Sequence, residues 1–191
     1  GYSLMSHAKH EKFVLLKGTG SNGKSKILGT LEALCGIENI SGVQPSKFDS
    51  PFQRAHMQYK LANLVTELKQ GEIIADAELK AITSGEPATV EHKNKDPFVM
   101  RPYATCWFGT NHLPHTRDFS EAFFRRAVVL DLNREFKEHQ KDTNLLDKLK
   151  AELSGILTLC LDAYAMALSF GFTDPPSSTH AKQEWRIETD Q

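Results

Sequence analysis

The 191-residue chain carries 23 Lys and Arg against 24 Asp and Glu, a formal net charge of −1, with 40% hydrophobic and 25% charged residues. That balance is ordinary for a globular domain. It excludes a uniformly basic, histone-like binder but leaves room for a local basic site on nucleic acid. No apolar run approaches the ~18 residues of an uninterrupted membrane span, and no charged-then-apolar leader opens the chain.

The chain begins at Gly1 rather than Met, which reads as a piece of a longer protein. The apolar run 13–16, stopping at Gly18, reads as a buried parallel strand. Residues 24–34 read as a helix, with Leu28, Leu31 and Leu34 on one side and Gly36 as its stop. Ser50-Pro51 opens another helix, with Pro51 at the first helical position. Residues 61–65 read as a strand ending in Thr66-Glu67. Asp76 caps a short helix through Leu79 and Ile82, closed by Gly85. Residues 89–92 and 98–101 read as two strand arms. Residues 104–109 and 127–132 are further strands, the first ending in Thr110-Asn111.

Leu145, Leu149, Leu153, Ile156, Cys160, Tyr164 and Leu168 keep the spacing of one long amphipathic helix, with Gly155 as a bend inside it. Residues 174–178 are a loop. The polar tail 181–191 reads as the start of a further element. Strands alternating with helices argue an α/β fold with a mainly parallel sheet. Cys35, Cys106 and Cys160 show no zinc or disulfide spacing and fit buried thiols in a reducing cytoplasm. His112 and His115 have no Cys or acid at metal spacing beside them.

The strongest signal is Gly18, Thr19, Gly20, Ser21, Asn22, Gly23, Lys24 and Ser25, a full G-x-x-x-x-G-K-[ST] match between a strand and a helix. Its glycines let the backbone curl so that N–H groups face phosphate oxygens. The helix that follows adds its N-terminal dipole. Lys24 supplies a point charge for the outer phosphates, and Ser25 a hydroxyl for Mg²⁺. ATP with Mg²⁺ is therefore the expected ligand.

Phosphoryl transfer further needs an acid for metal and water, a polar group beside the γ-phosphate, and a positive charge for the transition state. Glu67, at the end of the 61–65 strand, is the candidate acid and, with Ser25, the candidate metal ligand. Asn111, at the end of the 104–109 strand, is the candidate polar group. Arg125 and Arg126, just before the 127–132 strand, are the candidate cations. In a ring of copies one of them reaches the neighbour's nucleotide.

These motifs, in this order, resemble the superfamily 3 helicase domain found at the C-terminal side of phage and plasmid primases and related to poxvirus primase–helicases. The likeness is carried by residues 18–25, 61–67, 79–87, 98–111 and 124–132. The lead-in Gly1-Tyr2-Ser3-Leu4, and Gly171-Phe172 with Pro175-Pro176, extend it over nearly the whole chain. The resemblance implies an AAA+-like P-loop ATPase core with a protruding β-hairpin. It implies a ring, usually a hexamer, moving 3′→5′ along single-stranded DNA inside a bacterial host cell. An upstream primase or polymerase domain of the same polypeptide is a further implied partner.

Residue by residue, Lys24, Ser25, Glu67 and Asn111 match the family's phosphate-loop, acid and sensor positions. Thr66 stands where many members carry a second acid. Arg125 and Arg126 match the arginine-finger region, and Arg126 is preferred. Lys80 resembles a lysine that contacts a neighbour's nucleotide or a DNA phosphate. The segment between the strand arms, with His92, Lys93 and Lys95, resembles the hairpin that enters the ring's channel. Mobile donors on a protruding loop suit phosphate contacts without sequence reading.

The expected organisation is an ATPase core over 1–136, with its hairpin near 89–101. A helical segment over 137–191 packs on that core and stops short of a further domain. The expected function is the ATP-dependent motor of a phage or plasmid replicative helicase, without membrane attachment. Two alternatives stand beside it, a P-loop small-molecule kinase and an ATP-binding fragment that neither assembles nor unwinds DNA. A kinase wants an Arg-rich lid, and the only cluster here is Arg125-Arg126 with Arg117 nearby.

Overall fold

The structure is a computed structural model and describes residues 1–189. The chain folds as a five-stranded sheet flanked by helices, with a separate two-stranded hairpin. In chain order the strands and helices are β1 (Phe13–Lys17), α1 (Lys24–Cys35), β2 (Ile40–Ser41), α2 (Pro51–Ala55), β3 (Ala62–Val65) and α3 (Asp76–Ser84). The hairpin follows as β4 (Ala88–Val90) and β5 (Phe98–Met100). The rest is β6 (Thr105–Thr110), α4 (Glu121–Phe124), β7 (Ala127–Asp131), α5 (Leu145–Ala151), α6 (Leu153–Phe170) and α7 (Pro176–Thr189).

The main sheet has the order β2-β3-β6-β1-β7, and every pairing in it is parallel. β1 lies between β6 and β7, with Leu15 opposite Phe108 on one side and Val129 on the other. A strand covered on both faces needs apolar residues at every position rather than every second one. Phe13 and Leu15 enter the larger core with Phe108, Phe123 and Trp185. Val14 and Leu16 pack with Leu28 of α1 on the opposite face. The strand therefore sits where its composition predicts, and the loop that leaves it lies at the carboxyl edge of the sheet, where open α/β sheets hold ligands.

Local signals account for most boundaries. Gly36 adopts φ 81 after α1 and donates its N–H back to Glu32 O. Ser50 caps α2 through its side chain, with Pro51 following. Gly85 closes α3 in the left-handed conformation, φ 67. Asp76 differs from expectation, because the cap of α3 is Ala75. The Asp76 carboxylate instead accepts from Thr116 Oγ1 at 2.6 Å and Arg117 N at 2.9 Å, which pins the segment after β6.

Two C-terminal readings need correction. The 145–168 helix is broken into α5 and α6 at Glu152, whose φ −101 and ψ 11 leave the helical region, and not at Gly155. Within α6 only Tyr164 is buried, and Leu159, Met166, Leu168 and Phe170 stand exposed. α6 runs 18 residues at mean hydropathy 1.6, enough by length and composition to cross a bilayer. The exclusion drawn from uninterrupted apolar runs misses it because Ser154, Thr158, Asp162 and Ser169 punctuate the helix without making it polar.

From Pro176 to Thr189 the chain forms α7, so only Asp174 and Pro175 of the expected loop stay outside a helix and the polar tail is not one, since Ser178, Ala181 and Trp185 are all fully buried. Ser178 Oγ accepts from Val129 N at 3.0 Å, and Trp185 Nε1 donates to Pro114 O at 2.7 Å. Asp190 and Gln191, the end of that tail, lie outside the described residues.

Candidate nucleotide site

The loop between β1 and α1 turns on three positive-φ residues, Gly20 (119°), Ser21 (46°) and Gly23 (91°). Gly18 is needed for another reason. A Cβ there would meet Asn22 Nδ2 at 1.9 Å and Leu132 O at 2.9 Å. The loop is tied down by Gly18 N to Thr110 O at 3.0 Å and by Asn22 Nδ2 to Leu132 O at 3.3 Å.

Lys24 is buried, 8% exposed. Its ammonium donates to Gly18 O, to Asn22 Oδ1 at 3.3 Å and to Asn111 Oδ1 at 3.0 Å. Burial lowers its pKa from the usual 10.5, and the nearby Glu67 carboxylate pulls the other way.

Glu67 and Asn111 meet because their strands are neighbours. Val65 pairs with Phe108, so the residues just beyond β3 and β6 converge at one edge. Gly109 makes the approach possible, since a Cβ on it would strike Thr66 O at 2.2 Å. Leu68 N donates to Gly109 O at 2.8 Å and locks the crossing. Asn111 Nδ2 then donates to Glu67 Oε1 at 3.2 Å. Lys24, Asn111 and Glu67 thus form one hydrogen-bonded chain across the mouth of a cavity of ≈ 750 Å³, which Ser25 and Thr66 also line.

The far wall of that cavity carries residues no motif announced, Phe136, Gln140, Lys141, Asp142, Thr143 and Leu145. Phe136 N donates to Ser21 O at 2.9 Å, and Arg134 lies over the Phe136 ring at 4.7 Å. The available sequence signal was an aromatic close behind a strand and flanked by charge, which is too common to single out.

The two arginines behave differently. Arg126 is nearly buried. Its Nη1 donates to Ala122 O at 2.5 Å, and its Nη2 reaches Ser84 Oγ at 2.9 Å and Glu11 Oε2 at 2.8 Å. The Arg126 guanidinium is thus held on three sides within its own subunit. Arg125 is 60% exposed, and its side chain pairs with Glu11 Oε2 at 3.3 Å.

Lys80 is also committed, 2.5 Å from Asp118 Oδ2. Burial alone would raise the Asp118 pKa, but hydrogen bonds from Lys80 and Ser120 outweigh it and hold the carboxyl low. The hairpin pairs Ala88 with Met100 and Val90 with Phe98. Val90 and Met100 are buried in the core, while Lys93 and Lys95 are exposed at the tip. His92 does not project freely; its ring stacks on Phe98 at 5.3 Å.

A family model described as "Family of unknown function (DUF5906)" matches residues 16–126, more than half of the chain, from the last two residues of β1 through the arginine pair. "Putative helicase L207/L206" of Acanthamoeba polyphaga mimivirus is 24% identical over 94% of this chain and 21% of its own length. The apo structure of the NrS-1 C-terminal region superposes with TM-score 0.68 at 17% identity, covering 100% of this chain and 46% of that one. A second structure of that region, residues 305–718, gives TM-score 0.59 at 18% identity over 78% of this chain and 35% of that one. The chain therefore spans about a fifth of the mimivirus relative and under half of the NrS-1 region.

Proposed function

The chain belongs to DUF5906, a family of unknown function, and we propose that it is an ATP-hydrolysing motor domain acting on single-stranded DNA. The family match, the mimivirus relative and the shared fold support a domain of the superfamily 3 helicase type. The observation that carries the finer reading is the chain from Lys24 through Asn111 to Glu67 at the mouth of the glycine-loop cavity.

In this reading the loop's backbone amides and the N-terminus of α1 hold the ATP phosphates. Lys24 exchanges its protein acceptors for phosphate oxygens. Ser25 and Glu67 present hard oxygen donors to the same cavity, a set that suits Mg²⁺ bound together with phosphates and water. Bound there, Mg²⁺ supplies charge neutralisation on the phosphates. Glu67 orients the attacking water and takes its proton, and Asn111 reports the state of the γ-phosphate to both Lys24 and Glu67.

Arg125, exposed at the surface, is the cation available to a neighbouring copy. An arginine supplied in trans is worth roughly 10³–10⁵ in rate, so isolated subunits hydrolyse slowly and assembled ones quickly. The Lys93–Lys95 tip contacts the phosphates of the single strand. Membership of a phage or plasmid replication protein, and a primase or polymerase elsewhere in its polypeptide, belong to the same reading.

The test is ATP hydrolysis per subunit against protein concentration, with and without single-stranded DNA, using Lys24→Ala as the blank. The rate per subunit should climb with concentration and with DNA, and the blank should be inactive. A rate that is flat in concentration and indifferent to DNA overturns the motor reading, and a panel of small-molecule acceptors would then separate a kinase from a fragment that does not assemble.

A further inference from the structure

We propose that Glu11 is a positioning residue for Arg125, holding that guanidinium in the pose from which it reaches the neighbouring copy's nucleotide; the proposal rests on the trans-arginine reading above. Three consecutive residues grip the arginine pair. Glu11 Oε2 lies 3.3 Å from Arg125 Nη2 and 2.8 Å from Arg126 Nη2. Lys12 Nζ donates to Arg125 O at 2.5 Å. Phe13 N donates to Arg126 O at 2.9 Å, which registers the pair against β1.

Glu11 itself adopts φ 50, a left-handed conformation uncommon for any residue with a Cβ other than Asn or Asp. It is held there by its own N–H to Ala8 O at 3.2 Å. Such backbone outliers persist only where the surroundings impose them, and they cluster at working sites. Here the outlier aims one carboxylate at both arginines.

The two arginines divide the work. Arg126, 9% exposed and also tied to Ser84 and Ala122, is a fixed post. It anchors the carboxylate by the shorter of the two contacts. The anchored carboxylate then limits where Arg125 can swing. Arginine has five N–H donors, so one contact to Glu11 leaves ample capacity for a phosphate. Without that tether, a long side chain that is 60% exposed spreads over its rotamers and presents the charge only part of the time.

The experiment mixes subunits. Glu11→Gln keeps the shape and one acceptor but removes the charge. Its kcat for ATP should fall about ten- to a hundred-fold, the cost of a misplaced group, with KM for ATP nearly unchanged because the other copy's loop binds the nucleotide. Adding inactive Lys24→Ala subunits, whose Glu11 and Arg125 are intact, should raise the rate per Glu11→Gln subunit. Arg125→Ala should be rescued in the same way. Glu11→Gln added to Arg125→Ala should cost nothing more, which a merely structural role would not produce.

Rescue of Arg125→Ala but not of Glu11→Gln overturns the proposal while the trans arginine stands. An Arg125→Ala chain that hydrolyses at the wild-type rate removes the trans arginine and the proposal together. If Glu11→Gln does not fold by circular dichroism, Glu11→Asp, which keeps the charge on a shorter stem and tolerates positive φ better, takes its place in the same mixtures and cycle.

Discussion

Lys24 occupies a place that costs an ammonium its hydration, and burial lowers its pKa from 10.5. The sign of the consequence is fixed by linkage. Between the lowered folded value and 10.5 the unfolded chain holds more protons than the folded one, so stability rises with pH across that window. Below it the charged lysine carries its full burial cost, only partly offset by three acceptors and Glu67. The melting temperature of the wild type relative to Lys24→Met should therefore climb as pH rises through that window towards 10.5. A difference that stays constant over that range would contradict the buried charge. The same variant should lose any rise in melting temperature on adding ATP. Lys24, Glu67 and Asn111 were legible in the sequence because each is fixed by a local rule, a loop motif or a position just past a strand. The contrast between a buried Arg126 and an exposed Arg125 was not, because it is made by Ser84, Ala122 and Glu11, and two of those three lie far away in the chain.

At the scale of elements the hairpin shows how structure separates two demands. Val90 and Met100 point into the core and fix the base, while Val99, 69% exposed, faces out on the alternate position. The tip bearing Lys93 and Lys95 can be altered without touching that base. A Lys93→Ala, Lys95→Ala double variant should keep its stability within about 0.5 kcal/mol and its DNA-independent ATPase. Its affinity for single-stranded DNA should fall, and the slope of log affinity against log salt should flatten by about 1.4 per engaged subunit, from two lost phosphate contacts. An unchanged slope would remove the tip from the DNA contact. The hairpin and every strand but the two-residue β2 were readable because apolar runs and turn residues act over a few positions, and two residues are too short a run to signal a strand. The split of α5 from α6 was not. The apolar spacing runs straight through Glu152, and only the packing decides which parts of the stripe are covered. Leu149, Leu153, Ile156 and Cys160 are half-buried, Tyr164 is buried, and Leu168 is exposed.

Over the whole molecule, the cavity is held together by elements from opposite ends of the chain. The segment after β6 carries Asn111 and continues to Pro114, whose carbonyl accepts from Trp185 of α7. The Trp185 ring in turn meets Phe124 edge-on at 5.3 Å and Phe123 at 5.6 Å, beside the arginine pair. α7 thereby braces both the polar group and the cation of the proposed site. Its sequence hid this role because the buried stripe is a single narrow line, Ser178, Ala181 and Trp185, on an otherwise polar helix. Removing a buried Trp side chain costs about 3–5 kcal/mol, against a total of about 5–15 kcal/mol for a typical domain. Trp185→Ala should therefore shift the urea midpoint strongly downward as a single transition with an unchanged slope, because α7 and the sheet share one core. Trp185→Phe separates packing from the hydrogen bond. It should recover much of the lost stability but still lack the tether to Pro114, and its ATPase should remain impaired at temperatures where it is fully folded. Two transitions in Trp185→Ala, one weak and one at the wild-type midpoint, would mean that α7 folds apart from the sheet and does not brace the site.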